Sequence, residues 1–397
     1  MADNTNDPIV IVSGARTPMG GFQGALSSLS SPALGAHSIR AALDATDLEN
    51  DQIDEVIMGC VLPAGLGQAP ARQAAIGAGV GLQATCTTVN KMCGSGMKAI
   101  MLGHDSILSG SNSVVVAGGM ESMSNAPYLL PKARSGLRMG HAAVQDHMFL
   151  DGLEDAYQPG MLMGHFAEQT ASHYQFTRAA QDDFAITSLQ RAQAAISAGT
   201  FQSEIAPVKI AQRKSETLVV DDEQPPKADL ERIPNLRPAF DKSGTVTAAN
   251  ASSISDGAAA LLLMHESEAR RRGLNPIARI LGHASHAQEP EWFTTAPVFA
   301  IRKLLDKLGR HTRDIDLFEI NEAFAVVAMA AITELDLAHS KVNVHGGACA
   351  LGHPIGASGA RIIVTLINAL KTHNLSSGIA SLCIGGGEAT AVAIERL

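Results

Sequence analysis

Short apolar segments follow one another in the same order in the two halves of the chain. The paired segments are 9–12 with 278–281, 53–59 with 315–321, 89–90 with 342–343, and 114–117 with 379–384. Each ends at or just before a glycine, serine or asparagine, residues that favour turns. We therefore predict an internal duplication. Because strands that alternate with helices at this spacing are typical of parallel sheets, we predict an α/β protein with mainly parallel strands.

Two helical segments indicate how these strands are layered. The segment from Met97 to Leu108 has an apolar face at helical spacing, and the segment from Ile362 to Leu370 is apolar nearly all around. A helix that is apolar on all sides is buried on all sides. One such helix from each half, placed between two sheets, predicts an α-β-α-β-α layered sandwich of two duplicated halves.

A long proline-rich excursion interrupts the first half. It contains one clear helix, which we predict to begin after Thr177 as N-cap and to end at Gly199, and a charged stretch, 213–231, that we predict to be loop. A connection this long is uncommon unless it is functional. We predict an N-terminal half from residues 1–123 and 251–273, a C-terminal half from 274–397, and between them an inserted loop domain, 124–250, that serves as a lid or in oligomerisation.

Composition and charge exclude several classes of protein. The net charge is −9 and no long Lys/Arg cluster is present, which argues against a nucleic-acid partner, although a few local basic residues could still meet an anionic ligand. No apolar run approaches the ~20 residues of a membrane span. Residues 1–8 lack the pattern of a secretory signal, and five cysteines, an odd number, argue against a disulfide framework. We expect a soluble cytoplasmic protein.

Cys93 lies in a glycine-rich turn between a predicted strand and the helix that starts near Met97. This geometry aims backbone N–H groups and the positive end of the helix dipole at the sulfur, so we expect a lowered thiol pKa and a nucleophilic role. The alternative is a small apolar residue packed in a tight turn.

His345, Cys349 and His353 are spaced by four residues, a spacing that could hold zinc on one face of a helix. Neighbouring glycines and Pro354 disfavour that helix, and no Cys-x-x-Cys pair completes such a site, so we predict no metal. His353, in a stiff turn before the proline, suits acid–base chemistry, while a structural histidine is the alternative.

Two further residues stand at predicted strand ends. Cys383 precedes the glycine run 385–387, whose backbone N–H groups could form an oxyanion hole, and its alternative is a packed core cysteine. The carboxamide of Asn321 could position a water or a carbonyl, and its alternative is a helix N-cap. Cys60 and Cys86 have no acid–base neighbours in the sequence and remain structural candidates.

Together these motifs resemble the thiolase family over essentially the whole chain. The segments that carry the resemblance are 9–18, 89–97, 118–124, 237–240, 250–252, 256–260, 321–324, 345–356 and 383–387. The resemblance implies a thiolase-like fold and acyl transfer between coenzyme A (CoA) thioesters. The expected reaction is the reversible Claisen condensation of two acetyl-CoA molecules to acetoacetyl-CoA and CoA.

The family's catalytic roles can be carried over to matching positions. The resemblance implies that Cys93 is the acylated nucleophile, that His353 is its base, and that Cys383 moves the α-proton of an acetyl-CoA. Asn321 matches the residue that holds the water of one oxyanion hole, together with His353. The backbone N–H groups of Cys93 and Gly385 match the other hole. Such chemistry needs no bound metal or redox cofactor.

The resemblance also implies substrate contacts and an assembly. The positions that match the CoA arm and the acyl pocket are Ser252, Met163, Leu153, Ala323 and Phe324, with Lys227 or Arg232 as the candidate for the CoA phosphates. Substrates would be acetyl-CoA, acetoacetyl-CoA and CoA, in a homotetramer built as a dimer of dimers.

Departures from the family pattern keep alternatives open. Leu162 stands before Met163-Gly164 where short-chain members often carry histidine, and Trp292 lies in a segment where many members have Met-Gly. A longer-chain 3-ketoacyl-CoA thiolase is the first alternative. A ketoacyl synthase, which lacks the second catalytic cysteine, and a non-catalytic CoA or lipid carrier are the others.

Overall fold

The computed structural model describes residues 7–211 and 215–397, so residues 1–6, part of the segment compared above with a secretory signal, and residues 213–214 of the predicted charged loop lie outside it. The strands are β1 (Ile9–Arg16), β2 (Gly20–Gly21), β3 (Glu55–Gly59), β4 (Thr85–Val89), β5 (Val114–Ser122), β6 (Tyr128–Leu129), β7 (Gln145–Asp146), β8 (Val208–Ala211), β9 (Glu216–Val219), β10 (Ser255–His265), β11 (Ala278–Ala287), β12 (Leu317–Ile320), β13 (Ser377–Ile384) and β14 (Glu388–Arg396). The helices are α1 (Ser31–Asp44), α2 (Pro70–Ala78), α3 (Ser95–Leu108), α4 (Met163–Tyr174), α5 (Arg178–Ser197), α6 (Glu266–Arg271), α7 (Ala296–Leu308), α8 (Ala325–Leu335), α9 (Ala348–Leu351) and α10 (Ser358–Thr372).

The sheet order confirms the duplication. Read outward from the centre, one side runs β1, β10, β5, β3 and β4, and the other runs β11, β14, β13 and β12. The strands paired by sequence, β1 with β11, β3 with β12 and β5 with β13, therefore occupy equivalent places. The two halves meet where β1 and β11 pair over a short stretch, Val10 opposite Arg279 and Ile11 opposite Ala278.

The prediction of mainly parallel strands is wrong. Only β3 with β4, β3 with β5, and β12 with β13 are parallel among the pairs of the large sheet. These are the places where a helical crossover joins the strands. Elsewhere the pairing is antiparallel; β13 and β14, for example, are joined by the tight turn 385–387, and such a turn can only reverse the chain.

The layered arrangement agrees with the helix patterns. α3 and α10 pack against each other and each contacts strands of both halves, so they form the middle layer. Every residue of α10 from Ser358 to Leu370 is buried, as its apolar circumference predicted. α1 with α2 covers the outer face of one half, and α7 with α8 covers that of the other. Leu108, assigned above to a buried face, is instead 45% exposed at the end of α3.

The excursion in the first half packs against helices of the C-terminal half. Its α5 begins as predicted, with the Thr177 hydroxyl accepting a hydrogen bond from the Ala180 N–H at 3.1 Å, and it is followed by Gly199 in a left-handed conformation. The segment predicted as loop contains strand β9 and two short 3-10 turns among its described residues. α4 and α5 both pack on α8, and α5 also packs on α9. The domain limits at 123/124, 250/251 and 273/274 stay a prediction.

A buried ion-pair cluster fastens the excursion to the sheet. Arg16 at the end of β1 binds Glu204 at 2.6 Å and Asp222 through two hydrogen bonds of 2.6 and 2.9 Å, and all three side chains are buried. The geometry is the bidentate one that a guanidinium and a carboxylate prefer. Of the helices that the structure describes, none is long and apolar enough to cross a membrane.

Candidate active site

Cys93 sits in the turn between β4 and α3, and neighbouring groups fix that turn. The Ser95 hydroxyl accepts a hydrogen bond from the Lys91 N–H at 2.8 Å and donates one to the Met92 carbonyl at 2.6 Å. Met92 adopts a left-handed conformation, with φ of 47°. A Cβ on Gly94 would lie 2.4 Å from the Ile384 side chain, so only glycine lets the end of β13 approach the turn this closely.

The Cys93 thiol is not activated in the resting protein. Burial raises its pKa to about 11, although the backbone N–H groups of Gly385 and Cys93 act in the opposite direction. The expectation of a lowered pKa is therefore wrong, because desolvation of the thiolate outweighs the N–H groups at the helix terminus. The two N–H groups do lie beside the sulfur, at the positions assigned to an oxyanion hole. A neutral thiol needs a base nearby to become a nucleophile.

Cys383 is the second thiol of the site. It lies fully buried near the end of β13, just before the turn in which Gly386 and Gly387 both take positive φ values. Burial and the neighbouring Cys93 raise its pKa well above the ordinary value of a thiol. The effect of Cys93 on the Cys383 pKa places the two sulfurs near each other.

His353 supplies a neutral imidazole. Its Nδ1 is 2.5 Å from the Ser358 hydroxyl, which itself donates to the Pro354 carbonyl at 3.0 Å. The hydroxyl therefore accepts from Nδ1–H, which leaves the lone pair on Nε2. Nε2 is buried and has no hydrogen-bond partner among the described residues. Burial, with a contribution from the charge of Arg361, lowers the His353 pKa to about 3, so the ring is an unprotonated base at neutral pH.

Asn321 lies beside this histidine. It follows β12, its side-chain amide is 3.4 Å from His353 Nδ1, and its carbonyl oxygen receives Arg361 Nη2 at 3.4 Å. Arg361 is completely buried on α10 and has Glu319 at 3.8 Å. Sequence analysis missed Arg361 and Ser358. A usable signal was present, because an arginine within a helix that is otherwise apolar all around requires a buried partner.

Glu121 was also missed, and it fastens the two loops of the site to each other. Its carboxylate accepts hydrogen bonds from the N–H groups of Val61 at 2.9 Å, Leu62 at 3.1 Å and Gly356 at 2.9 Å. Burial raises its pKa to about 7. The turn that follows His353 is thereby held against the loop that follows β3. A carboxylate at the end of an otherwise apolar strand was the signal in the sequence.

The residues assigned to the substrate lie around these groups. The Ser252 N–H donates to the Ala323 carbonyl at 2.9 Å, and the next residue, Ser253, accepts the His353 N–H at 3.1 Å. Phe324, next to Ala323, bridges to Ala251 on the same loop. The loop at 251–253 is thus attached to both the asparagine segment and the histidine turn.

Two further assigned side chains approach the sulfurs. A Cβ on Gly385 would lie 3.3 Å from the Met163 sulfur, which places Met163 over the glycine turn. Leu153 packs in the same apolar cluster as Cys93. The structure therefore brings together every assigned residue of the sequence analysis except the two candidates for the CoA phosphates, Lys227 and Arg232.

Lys227 lies at the outer end of a surface cavity. It is 66% exposed in its side chain and pairs with Glu223 at 2.6 Å. The cavity has a volume of about 340 Å³, and its lining includes Lys227, Arg232, Ser253 and Cys349. It connects basic side chains at the surface to the loop that holds His353. Arg232 has no ion pair in the parts of the chain that the structure describes.

Two protein-family models together match nearly the whole chain. The family model for the thiolase N-terminal domain matches residues 9–267, and that for the thiolase C-terminal domain matches residues 274–396. The chain belongs to the thiolase family. The thiolase fold also accounts for the duplicated sheets and the middle layer of two helices described above.

Individual thiolase relatives cover nearly the whole chain. Acetyl-CoA acetyltransferase 2 of Arabidopsis thaliana is 51% identical over 392 residues, which are 98% of this chain and 97% of that protein. Acetyl-CoA acetyltransferase of Pseudomonas aeruginosa is 49% identical over 390 residues, 98% of this chain and 99% of that one. Among solved structures, the Ascaris suum Acat5 thiolase in complex with coenzyme A has a TM-score of 0.92 at 44% identity, with 98% of this chain and 100% of that chain covered. The Bacillus anthracis acetyl-CoA acetyltransferase has a TM-score of 0.96 at 42% identity, with 98% and 99% covered.

Proposed function

We propose that this thiolase is an acetyl-CoA C-acetyltransferase, which condenses two acetyl-CoA molecules reversibly to acetoacetyl-CoA and CoA through an acetyl-Cys93 intermediate. The observation that carries the proposal is the meeting of two neighbouring thiols, Cys93 and Cys383, with the neutral base His353 and two backbone N–H groups. The names of the relatives in Arabidopsis thaliana and Pseudomonas aeruginosa support the choice of acetyl-CoA.

The first half-reaction forms the acyl-enzyme. His353 Nε2 takes the proton of the Cys93 thiol, and the sulfur attacks the thioester carbonyl of acetyl-CoA. The N–H groups of Cys93 and Gly385 stabilise the oxyanion of the tetrahedral intermediate. When it collapses, the carbon–sulfur bond to CoA breaks and the CoA sulfur takes the proton from His353. A covalent intermediate divides one difficult step into two easier ones.

The second half-reaction makes the carbon–carbon bond. His353 Nε2 takes the proton of the Cys383 thiol, and the resulting thiolate takes an α-proton from the second acetyl-CoA. The enolate oxygen is stabilised by the protonated His353 and a water held by Asn321. The carbanion attacks the acetyl carbonyl on Cys93 and expels the Cys93 thiolate, which takes the proton from His353, so that both thiols and the imidazole return to their neutral resting forms. The Cys93 sulfur is bound to the acetyl group during this step, so it cannot carry the negative charge that would oppose a Cys383 thiolate.

Arg361 is expected to act through Asn321. Arg361→Lys keeps a positive charge but loses the planar fork that reaches the Asn321 carbonyl oxygen, so the carboxamide loses its orientation. We expect kcat to fall about 10–100-fold with little change in KM, as for other residues that orient catalytic groups. Steady-state thiolysis kinetics measure this split. Arg396→Lys is the matched control, because Arg396 hydrogen-bonds to Leu375 and Asn374, away from the site. An unchanged kcat for Arg361→Lys would remove Arg361 from the site.

The substrate range is tested by CoA-dependent thiolysis of acetoacetyl-CoA beside 3-ketodecanoyl-CoA. We expect kcat/KM to favour acetoacetyl-CoA by at least about 100-fold, because a pocket shaped for a methyl group gains little from a chain that it cannot enclose. Met163 over Gly385 and the bulky Phe324 beside the site support a short pocket. Comparable rates on both substrates would contradict the acetyl specificity and favour a longer-chain 3-ketoacyl-CoA thiolase.

That longer-chain thiolase is the second candidate. The observation that favours it is Leu162, which precedes Met163 in place of the histidine of short-chain members. Trp292 does not bear on the choice directly, because its ring packs 5.0 Å from that of His173 at a separate surface cavity. A ketoacyl synthase and a non-catalytic carrier fit less well, since both thiols and the base are in place.

We also propose that CoA binds along the cavity between Arg232 and Ser253. The enzyme would be a homotetramer in the cytoplasm. Its reaction would need no metal or redox cofactor. Exposed apolar side chains on the first part of the insertion support an oligomer: Tyr128, Leu130, Leu137, Met139, Val144 and Tyr157. Strand β4, at the edge of the sheet, also exposes several of its residues. The molar mass in solution, measured by light scattering, tests the assembly, and a monomeric mass would contradict it.

A further inference from the structure

Two histidines and an aspartate from the two halves of the fold converge outside the group of active-site residues described above. His104 and Asp105 are consecutive residues on α3, and His283 lies on β11. His104 Nδ1 is 3.0 Å and His283 Nε2 is 2.8 Å from the same Asp105 oxygen. The two imidazole rings stand nearly perpendicular, with centroids 5.0 Å apart. One nitrogen from each ring therefore lies within hydrogen-bond distance of the same carboxylate oxygen.

The three donor atoms suit a divalent first-row transition ion. Imidazole nitrogen and carboxylate oxygen are the ligands that such ions commonly take in proteins. A tetrahedral ion with bonds of about 2.0–2.1 Å keeps its ligand atoms about 3.3 Å apart. Here all three atoms lie within 4.8 Å of one another, so small side-chain movements reach that geometry.

The two histidine side chains are mostly buried, whereas the aspartate side chain is half exposed to solvent. Each imidazole is only 13% exposed and therefore held in place, whereas the Asp105 side chain is 51% exposed and able to pivot. An ion could enter as Asp105 turns, and solvent could provide the fourth ligand. Two held ligands and one movable ligand from the solvent side resemble an open metal site more than a closed structural one.

Two features limit the affinity. The hydrogen bonds that now join Asp105 to both rings must be given up when an ion binds. Lys307 places its ammonium group 3.4 Å from the His283 carbonyl, and its charge opposes a cation. Binding should therefore be reversible and modest in strength.

We propose that His104, Asp105 and His283 form a binding site for a divalent transition ion of the Zn²⁺ or Co²⁺ type. The ion would join α3, the helix that directly follows Cys93, to β11 of the C-terminal half. It takes no part in the condensation and would act on stability by linking the two halves.

The test is titration of the intact enzyme with Co²⁺, followed by its visible absorption, whose intensity reports a four-coordinate site. The titration is made in a Cys93→Ala background, which removes a half-buried thiol of the site as a competing ligand. We expect one ion per chain and a rise in melting temperature with bound metal. His104→Ala and His283→Ala should each weaken binding by at least about 10-fold and abolish that rise.

Matched controls keep the outcome clear. His141→Ala removes an exposed histidine outside the cluster and should leave binding unchanged. Asp105→Asn keeps the shape of the side chain but removes its charge, and it should weaken binding while the protein stays folded. Equal binding by His104→Ala, His283→Ala and the parent, or absorption typical of thiolate ligation, would overturn the proposal. Neither outcome would affect the proposed acetyl transfer.

Discussion

Cys93→Ala is expected to abolish acetyl transfer, with thiolysis of acetoacetyl-CoA reduced about 10⁵–10⁶-fold. Among the thiols that the structure describes near His353, Cys93 alone has the Gly385 N–H and its own N–H beside the sulfur, so we expect no other to form the thioester. Losses of this size follow removal of a nucleophile that acts as a unit with its base. Intact mass after incubation with acetyl-CoA measures the acyl-enzyme directly, and Cys93→Ala should show no added acetyl group.

A control and a pH profile sharpen this prediction. Cys86→Ala alters a half-buried cysteine on β4 that contacts Arg72, and it should keep full activity and full acetylation. Because burial raises the Cys93 pKa to about 11, its thiolate fraction grows as pH rises towards that value. In His353→Ala, alkylation of Cys93 by iodoacetamide should therefore accelerate steadily through the alkaline range. More than about 1% residual thiolysis in Cys93→Ala would assign the nucleophile elsewhere.

Cys383→Ala is expected to separate the two half-reactions. Cys93, His353 and the N–H groups remain in place, so the variant should still accept an acetyl group on Cys93. It should lose carbon–carbon bond formation and cleavage by about 10²–10⁴-fold, because a positioned acid–base group contributes rate enhancement of that order. Exchange of labelled CoA into acetyl-CoA measures the first half-reaction, and thiolysis of acetoacetyl-CoA measures the whole.

Exchange of the methyl protons of acetyl-CoA with solvent deuterium isolates the proton step. Cys383→Ala should lose this exchange, whereas Cys349→Ala, another thiol that packs near the site against Glu322, should retain it. If Cys383→Ala fails to become acetylated while Cys93→Ala succeeds, the roles of the two thiols are reversed.

The folding pattern was largely readable from the sequence. The repeated order of apolar segments predicted the duplication because equivalent strands in the two halves need equivalent turns and burial. The apolar circumference of α10 predicted its place in the middle layer, because a helix that is apolar on all sides is buried on all sides. Strand direction was not readable in this way, since an apolar segment has the same pattern in a parallel and an antiparallel pair. The turn 385–387 and the long insertion before β10 decided it.

For the chemistry, the sequence indicated the candidate residues but not the tertiary contacts that surround them. Cys93, His353, Cys383 and Asn321 stood out because each follows a strand or lies in a glycine-rich turn, where side chains can reach a substrate. Lys227 was a weaker prediction, because the sequence could not show that it is paired with Glu223 at the surface.

The sequence by itself thus determined the duplicated layers and the candidates for the reactive side chains, since both depend on local order and residue type. Only the tertiary structure decided the sign of the Cys93 pKa shift, because desolvation depends on every group packed around the sulfur. It alone also revealed the supporting contacts of Glu121 and Arg361, and the convergence of His104 with His283. Those residues are distant along the chain, and their proximity follows from the packing of the two halves around α3 and α10.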